Sequence, residues 1–193
     1  MKKVGLFFGT FNPIHNGHLK VANYFVEKVE LEEVWLVISP QSPFKKIESL
    51  IENNQRLAML NLALKDFPKL KVCDDEINLS KPNYTINTLF HLKNKFPNYD
   101  FVLIFGQDIL SYFHEWKNYK HILKNYKIYV YPRGESNLTL DELKEHRNIH
   151  FFTAPKIEIS STEVRKMILK GEVPVNLMPK MVKDYIAINK LFL

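Results

Sequence analysis

Residues 9–18 read Gly9-Thr10-Phe11-Asn12-Pro13-Ile14-His15-Asn16-Gly17-His18, or GTFNPIHNGH. What flanks this stretch decides the fold. Before it, Val4-Gly5-Leu6-Phe7-Phe8 is a short apolar run stopped by glycine, the pattern of a buried strand. After it, Leu19, Ala22, Val26 and Val29 recur at helical spacing and predict a helix from about Gly17 to Val29. Val34-Trp35-Leu36-Val37-Ile38, closed by Ser39-Pro40, is then a second buried strand. Strand, helix and strand at these lengths form a βαβ unit, with parallel strands joined by a right-handed crossover.

The alternation continues. Residues 55–64 are helical, 70–73 a short strand, 84–92 a helix, and Phe101-Val102-Leu103-Ile104-Phe105 the clearest strand, ended by Gly106. A helical segment is expected over 116–123, strands over 128–131 and 149–152, and helices over 161–169 and 180–188. This order predicts an α/β fold, a Rossmann-like doubly wound parallel sheet with helices on both faces. The chain reads as one domain over 1–193, its C-terminal helical part covering about 160–193. Ligands of such sheets bind beyond the carboxyl ends of the strands. GTFNPIHNGH, Gly106-Gln107-Asp108 and Pro132-Arg133-Gly134 all follow strands and therefore fall on one edge. The polar, lysine-bearing loop at 41–54 is long enough to suggest function.

Composition sets wider bounds. Of 193 residues, 46% are apolar, enough for an ordinary core without metals or disulfides. The single cysteine, Cys73, cannot form an internal bridge, which suits a reducing cytoplasm. No secretory leader and no membrane-crossing run is legible. The net charge of +6 is spread over scattered lysines, which fits a solvated surface or a polyphosphate ligand better than a nucleic-acid track.

The opening stretch is rich in hydrogen-bond donors. Gly9 ends the strand, Asn16 can cap the helix, and Gly17 permits close backbone approach. The helix start, His15, His18 and the Thr10 hydroxyl then face one space, which predicts an anion site, with phosphate the obvious anion. Two histidines three residues apart lack the further ligands zinc needs, and no metal ligand set is expected. HExxH, GxGxxG and GxxxxGK[ST] are all absent. Ile159-Ser160-Ser161-Thr162-Glu163-Val164-Arg165 offers a serine cap, first-turn hydroxyls, an arginine one turn in, and a Ser160–Glu163 capping box. Alone it would be an ordinary helix start. Paired with the first site it suggests a triphosphate clamp.

GTFNPIHNGH together with ISSTEVR resembles the nucleotidyltransferase superfamily. Across its length the chain is similar to bacterial nicotinate-nucleotide adenylyltransferases, through Tyr84-Thr85, Gly106-Gln107-Asp108 and the Phe113-to-Trp116 segment. The resemblance implies AMP transfer from ATP to nicotinate mononucleotide, giving nicotinate adenine dinucleotide and pyrophosphate in NAD biosynthesis. It implies direct in-line attack at the α-phosphate, with Mg2+ carried by the ATP phosphates. His15, His18 and Arg165 would be catalytic. Gly9, Thr10, Phe11, His18, Gly106, Asp108, Arg133, Ser161, Thr162 and Arg165 would bind ATP. Thr10, Lys45, Thr85, Trp116 and Lys117 would bind the acceptor, the Lys117 amide at a helix start receiving the nicotinate carboxylate. The implied partners are small molecules, with neither nucleic acid nor membrane, and a homo-oligomer is compatible with the family.

Three positions depart from the family pattern: Phe44 in place of a histidine before Lys45, Asn87 in place of an aspartate, and Pro132-Arg133-Gly134 in place of Arg-Pro-Gly. The rival readings are an adenylyltransferase for nicotinamide mononucleotide or another phosphorylated acceptor, and a non-catalytic nucleotide- or RNA-binding module.

Overall fold

The computed structural model describes residues 1–29, 31–40, 50–133, 143, 145–154, 158–172, 174 and 176–193. Strand β1 (Lys2–Gly9) lies in the middle of a six-stranded sheet with β2 (Glu33–Ile38), β3 (Leu70–Cys73), β4 (Tyr99–Gly106), β5 (Lys127–Tyr131) and β6 (Ile149–Phe151). The order is β3-β2-β1-β4-β5-β6, and every neighbouring pair is parallel. Strand order therefore reverses between β1 and β4, the topological switch point where ligands of doubly wound sheets bind.

Each central strand is apolar on both faces, as a sheet covered on both sides requires. Val4 and Leu6 of β1, Trp35 and Val37 of β2, and Leu103 and Phe105 of β4 enter one core. Phe7, Leu36, Ile38, Val102 and Ile104 enter the other. The period of two sorts them without exception along β2 and β4. Gly5 occupies a position of β1 where a Cβ would come within 2.7 Å of both Ile104 Cδ1 and Leu31 Cδ1.

Helices α1 (Asn16–Lys28) and α2 (Asn53–Ala63) pack on the Phe7 side. Helix α3 (Thr85–Lys95) covers the opposite face, followed by the one-turn α4 (Gln107–Leu110) and by α5 (Tyr119–Asn125). The C-terminal helices α6 (Ser161–Leu169) and α7 (Lys180–Ile188) return to the α1 side, where Val164, Val182 and Ile186 join its core. The Tyr185 hydroxyl also donates to Gln55 Oε1 at 2.6 Å, tying α7 to α2. Phe25 of α1 is fully buried against Tyr129 and Phe152; truncating such a ring costs about 3–5 kcal/mol.

The segment expected to be helical over 116–123 is helical only from Tyr119. A 3-10 turn spans Phe113–Glu115, and α5 starts only at Tyr119, because Asn118 adopts the left-handed conformation (φ 56°, ψ 35°) that asparagine tolerates better than most residues. Trp116 matches the helical spacing but packs instead on Phe105 and Phe113. Among the described residues no helix is long and apolar enough to cross a membrane.

Candidate active site

The polypeptide leaving β1 doubles back over its own strand end. A Cβ on Gly9 would lie 2.8 Å from the Phe11 ring, so only glycine admits that ring here. Phe11 has φ 45°, a conformation bulky side chains avoid. Burial holds it there, with its ring edge-on to Phe7 at 6.0 Å and to His18 at 5.1 Å. The Phe11 side chain belongs to the core, and only its main chain remains for a ligand.

The cap of α1 differs from the sequence expectation. His15, not Asn16, holds the extended cap position (φ −142°, ψ 168°). The His15 main-chain N–H donates to His18 Nδ1 at 3.2 Å, and the His18 N–H donates to the His15 carbonyl at 3.0 Å. The Asn16 N–H donates to the Leu177 carbonyl at 2.8 Å, and Asn16 Nδ2 donates to the Asn176 carbonyl at 2.9 Å. Protein acceptors thus occupy the Asn16 and His18 amides, and the helix start is not the row of unpaired donors expected from sequence. The reason is tertiary: the 176–177 turn arrives from the far end of the chain.

The two imidazoles stack with centroids 3.7 Å apart. Burial, helped by the positive charge of Arg133 and opposed by Glu163, lowers the His15 pKa to about 4. His15 is therefore uncharged at neutral pH. Its Nδ1 is buried and has no hydrogen-bond partner among the described residues.

Helix α6 delivers the second motif to the first. Ser160 caps it, with Oγ accepting from the Glu163 N–H at 3.2 Å and the Glu163 carboxylate accepting from the Ser160 N–H at 2.9 Å. The Ser161 hydroxyl donates to the Pro13 carbonyl at 2.9 Å, and Arg165 Nη1 donates to the Asn12 carbonyl at 2.8 Å. Arg165 Nη2 also reaches Thr162 Oγ1 at 3.4 Å. The two sequence motifs are in direct contact.

At the end of β4, Gly106 opens α4 and Asp108 sits in its first turn. A Cβ on Gly106 would meet Asp108 Oδ1 at 2.4 Å and Arg133 Cδ at 2.9 Å. Asp108 Oδ2 lies 3.8 Å from Arg133 Nε, and Oδ1 is buried with no hydrogen-bond partner among the described residues. A narrow cleft brings His15, Gly17, His18, Tyr131, Arg133 and Ile159 together. A larger depression along α6, lined by Ile159, Lys166, Met167 and Lys170, includes neither histidine.

Of the residues expected at the acceptor, Thr85, Trp116 and Lys117 lie on the α3 side of the sheet edge. Thr85 opens α3 behind Tyr84, and the Lys117 ammonium stands 4.5 Å over the Tyr84 ring. Trp116 is half-buried against Phe105 and Phe113, and its indole Nε1 has no partner among the described residues. Lys117 lies in the turn before α5 and not at the helix start expected for it. Lys45, with Pro43 and Phe44, and Gly134 lie outside the described residues.

Three buried polar residues escaped the sequence reading. Tyr131 ends β5 at the cleft. Glu76 is buried below α3, where its carboxylate accepts from the Thr88 hydroxyl and its main-chain carbonyl from Asn83 Nδ2, each at 2.9 Å. Arg56 is fully buried and donates to the Thr10 carbonyl at 2.7 Å. Tyr131 could have been found as the last residue of an apolar strand, whereas neither Glu76 nor Arg56 carries a local signal. Among the described residues no group of three or more His, Cys, Asp and Glu side chains could hold a metal ion.

Known proteins share both the sequence and the fold. The cytidylyltransferase-like family matches residues 6–167. A "Probable nicotinate-nucleotide adenylyltransferase" of Christiangramia forsetii is 50% identical over 185 residues, 96% of this chain and 95% of the relative. A protein of the same name from Flavobacterium psychrophilum is 49% identical over 184 residues, 95% of each chain. The Plasmodium falciparum nicotinic acid mononucleotide adenylyltransferase complexed with NaAD has a TM-score of 0.82 over 100% of this chain and 98% of that one, at 23% identity. The last likeness establishes the fold. Identity of the first kind across nearly the whole length does more: the chain belongs to the nicotinate-nucleotide adenylyltransferases, within the cytidylyltransferase-like family.

Proposed function

We propose that the protein transfers AMP from ATP to nicotinate mononucleotide, releasing pyrophosphate and forming nicotinate adenine dinucleotide in NAD biosynthesis. The observation that carries this reading is the contact between the two motifs. Ser161 on Pro13 and Arg165 on Asn12 fix the start of α6 beside the histidine pair, which suits a polyphosphate lying across both.

A phosphate oxygen of the mononucleotide attacks the α-phosphorus, the bond to the bridging oxygen of the β-phosphate breaks, and pyrophosphate leaves. The nucleophile arrives ionised, so the protein need only position it and meet the charge that develops. His18 donates from Nε2, because its Nδ1 is engaged by the His15 amide. His15, uncharged at neutral pH, contributes a hydrogen bond and no charge. The cationic work falls to Arg165, with Ser161 and Thr162, on the β- and γ-phosphates. Gly9, Thr10 and the Phe11 main chain approach the phosphates, Gly106 and Asp108 the ribose, and Arg133 the adenine side. The donors here suit anions, and magnesium enters as the ATP complex, neutralising phosphate charge.

On the acceptor side, Thr10 and Lys45 serve the phosphate, and Thr85 and Trp116 the pyridine ring. Lys117 favours the acid over the amide, because only a carboxylate gains from a neighbouring cation. On this reading residues 1–193 act as one unit in the cytoplasm, on small molecules and without nucleic acid or membrane, as a monomer or a homo-oligomer.

The test is pyrophosphate release from Mg-ATP with nicotinate mononucleotide, beside nicotinamide mononucleotide and phosphopantetheine. Release with the first alone supports both chemistry and acceptor. Release with another moves the acceptor assignment, and release with none favours a binding module.

A further inference from the structure

Arg56 heads the fully buried side chains by volume, and the chemistry above gives it no part. It stands on α2, and no carboxylate among the described residues pairs with it. Its fork instead meets a cage of oxygens: Nε donates to the Ile51 carbonyl at 3.2 Å, Nη1 to the carbonyls of Thr10 at 2.7 Å and Ser39 at 2.8 Å, and Nη2 to the Pro40 carbonyl at 3.4 Å and to Asn53 Oδ1. Burial lowers its pKa to about 10, which leaves it charged at neutral pH.

The targets matter more than their number. Thr10 follows the end of β1, and Ser39 and Pro40 follow the end of β2. A single planar group therefore sets the spacing of two adjacent strand exits, which the Ser39 N–H also bridges by donating to the Gly9 carbonyl at 2.9 Å. Ser39 further hydrogen-bonds the buried Glu76 carboxylate, which takes the Thr88 hydroxyl of α3 as well. The chain of contacts thus runs from Thr10 to the helix that Thr85 opens. The α6 clamp grips the Asn12 and Pro13 carbonyls through its own contacts, and Arg56 reaches that segment only through Ile51, whose N–H donates to Asn12 Oδ1 at 3.4 Å.

We propose that Arg56 is a positioning residue for the acceptor: its guanidinium pins the Thr10 carbonyl to the β2 exit and so sets where the mononucleotide phosphate lies. The inference rests on the assignment of Thr10 to that phosphate. Arg56→Lys keeps the charge but replaces the planar fork with one compact donor group, which cannot hold both strand exits in the same geometry.

The experiment measures KM for nicotinate mononucleotide, kcat, and ATP binding by calorimetry for wild type and Arg56→Lys. The expected result is a KM at least tenfold higher with kcat within threefold, while the ATP Kd, for which Thr10 is one contact among many, also stays within threefold. In the Thr10→Ala background, the same lysine substitution should change KM by less than threefold. Asn53→Ala, which only loosens Nη2, should raise KM about fivefold with kcat and the ATP Kd within twofold, and it carries the test if the lysine variant does not fold. An active wild type whose variants lose ATP binding and acceptor KM alike, or lose neither, overturns the proposal alone. A wild type that makes no nicotinate adenine dinucleotide overturns the functional reading and this inference with it.

Discussion

The main-chain N–H of His15 donates to Nδ1 of His18 at 3.2 Å. That bond makes Nδ1 the acceptor, so the proton of the neutral ring resides on Nε2. The His18 N–H, returning to the His15 carbonyl, fixes the same turn from the other side. A donor held in place before the reaction needs no reorganisation as charge develops. His18→Ala should therefore leave the fold intact and lower turnover by at least about 100-fold. Steady-state pyrophosphate release beside a thermal melt checks this, and near-normal turnover would refute the assigned role.

His15 makes stability depend on pH in a defined direction. Its folded pKa, about 4, lies below the ordinary 6.5 because burial disfavours the imidazolium. Below pH 6.5 the unfolded chain takes up a proton that the folded protein refuses. The contribution is thus complete above about pH 6.5 and is lost as pH falls from there toward 4. A shift of this size is worth roughly 3 kcal/mol at full extent. Urea unfolding at pH 7 and pH 4.5 should show a drop that His15→Gln reduces. An equal drop in both proteins would mean that the ring titrates normally in the fold.

Gly106 tests how much room the Asp108 carboxylate needs. A Cβ there would reach Asp108 Oδ1 at 2.4 Å and Arg133 Cδ at 2.9 Å. Gly106 has φ −70°, which alanine adopts freely, and both neighbours are flexible side chains. The fold should therefore tolerate Gly106→Ala, with Tm within about 4 °C of wild type. The displaced Asp108 should cost at least tenfold in kcat/KM, or about 1.4 kcal/mol. Unchanged kinetics would remove Asp108 from the site.

The fold was legible because its strands are bounded by residues with a mechanical reason to be there. Phe101–Phe105 ends at glycine and Val34–Ile38 at Ser39-Pro40, and both appear as read, the first longer by Tyr99, Asp100 and Gly106 and the second by Glu33. The place of each motif was legible for the same reason, since each declares a strand end or a helix start. What remained hidden depends on contacts made at a distance. Nothing local marks Leu177 as the acceptor for the Asn16 amide, so the sequence points to a cap one residue late. Arg56 stands between Gln55 and Leu57 as an ordinary helical arginine, and its carbonyl partners come from three separate segments. Trp116 fits a helical pattern in the sequence, but its ring packs against Phe105 and Phe113 ahead of α5.

The contact between the motifs makes a prediction of coupling. Ser161 Oγ and Arg165 Nη1 hold consecutive carbonyls, those of Pro13 and Asn12, so each restrains the same two residues of main chain. Removing the Ser161 hydroxyl takes away one hydrogen bond in a half-buried setting and should cost about 1 kcal/mol. Arg165→Lys should cost a similar amount, because an ammonium cannot span Asn12 and Thr162 together. Once either contact is gone the 12–13 segment relaxes, and the second then restrains less than it did. The double variant should therefore lose less than the sum of the singles, by at least about 0.5 kcal/mol in urea unfolding. The same non-additivity should appear in the ATP Kd if the segment and α6 hold the triphosphate as a unit. Effects that add to within about 0.3 kcal/mol would show two independent contacts and would separate the histidine loop from the α6 clamp.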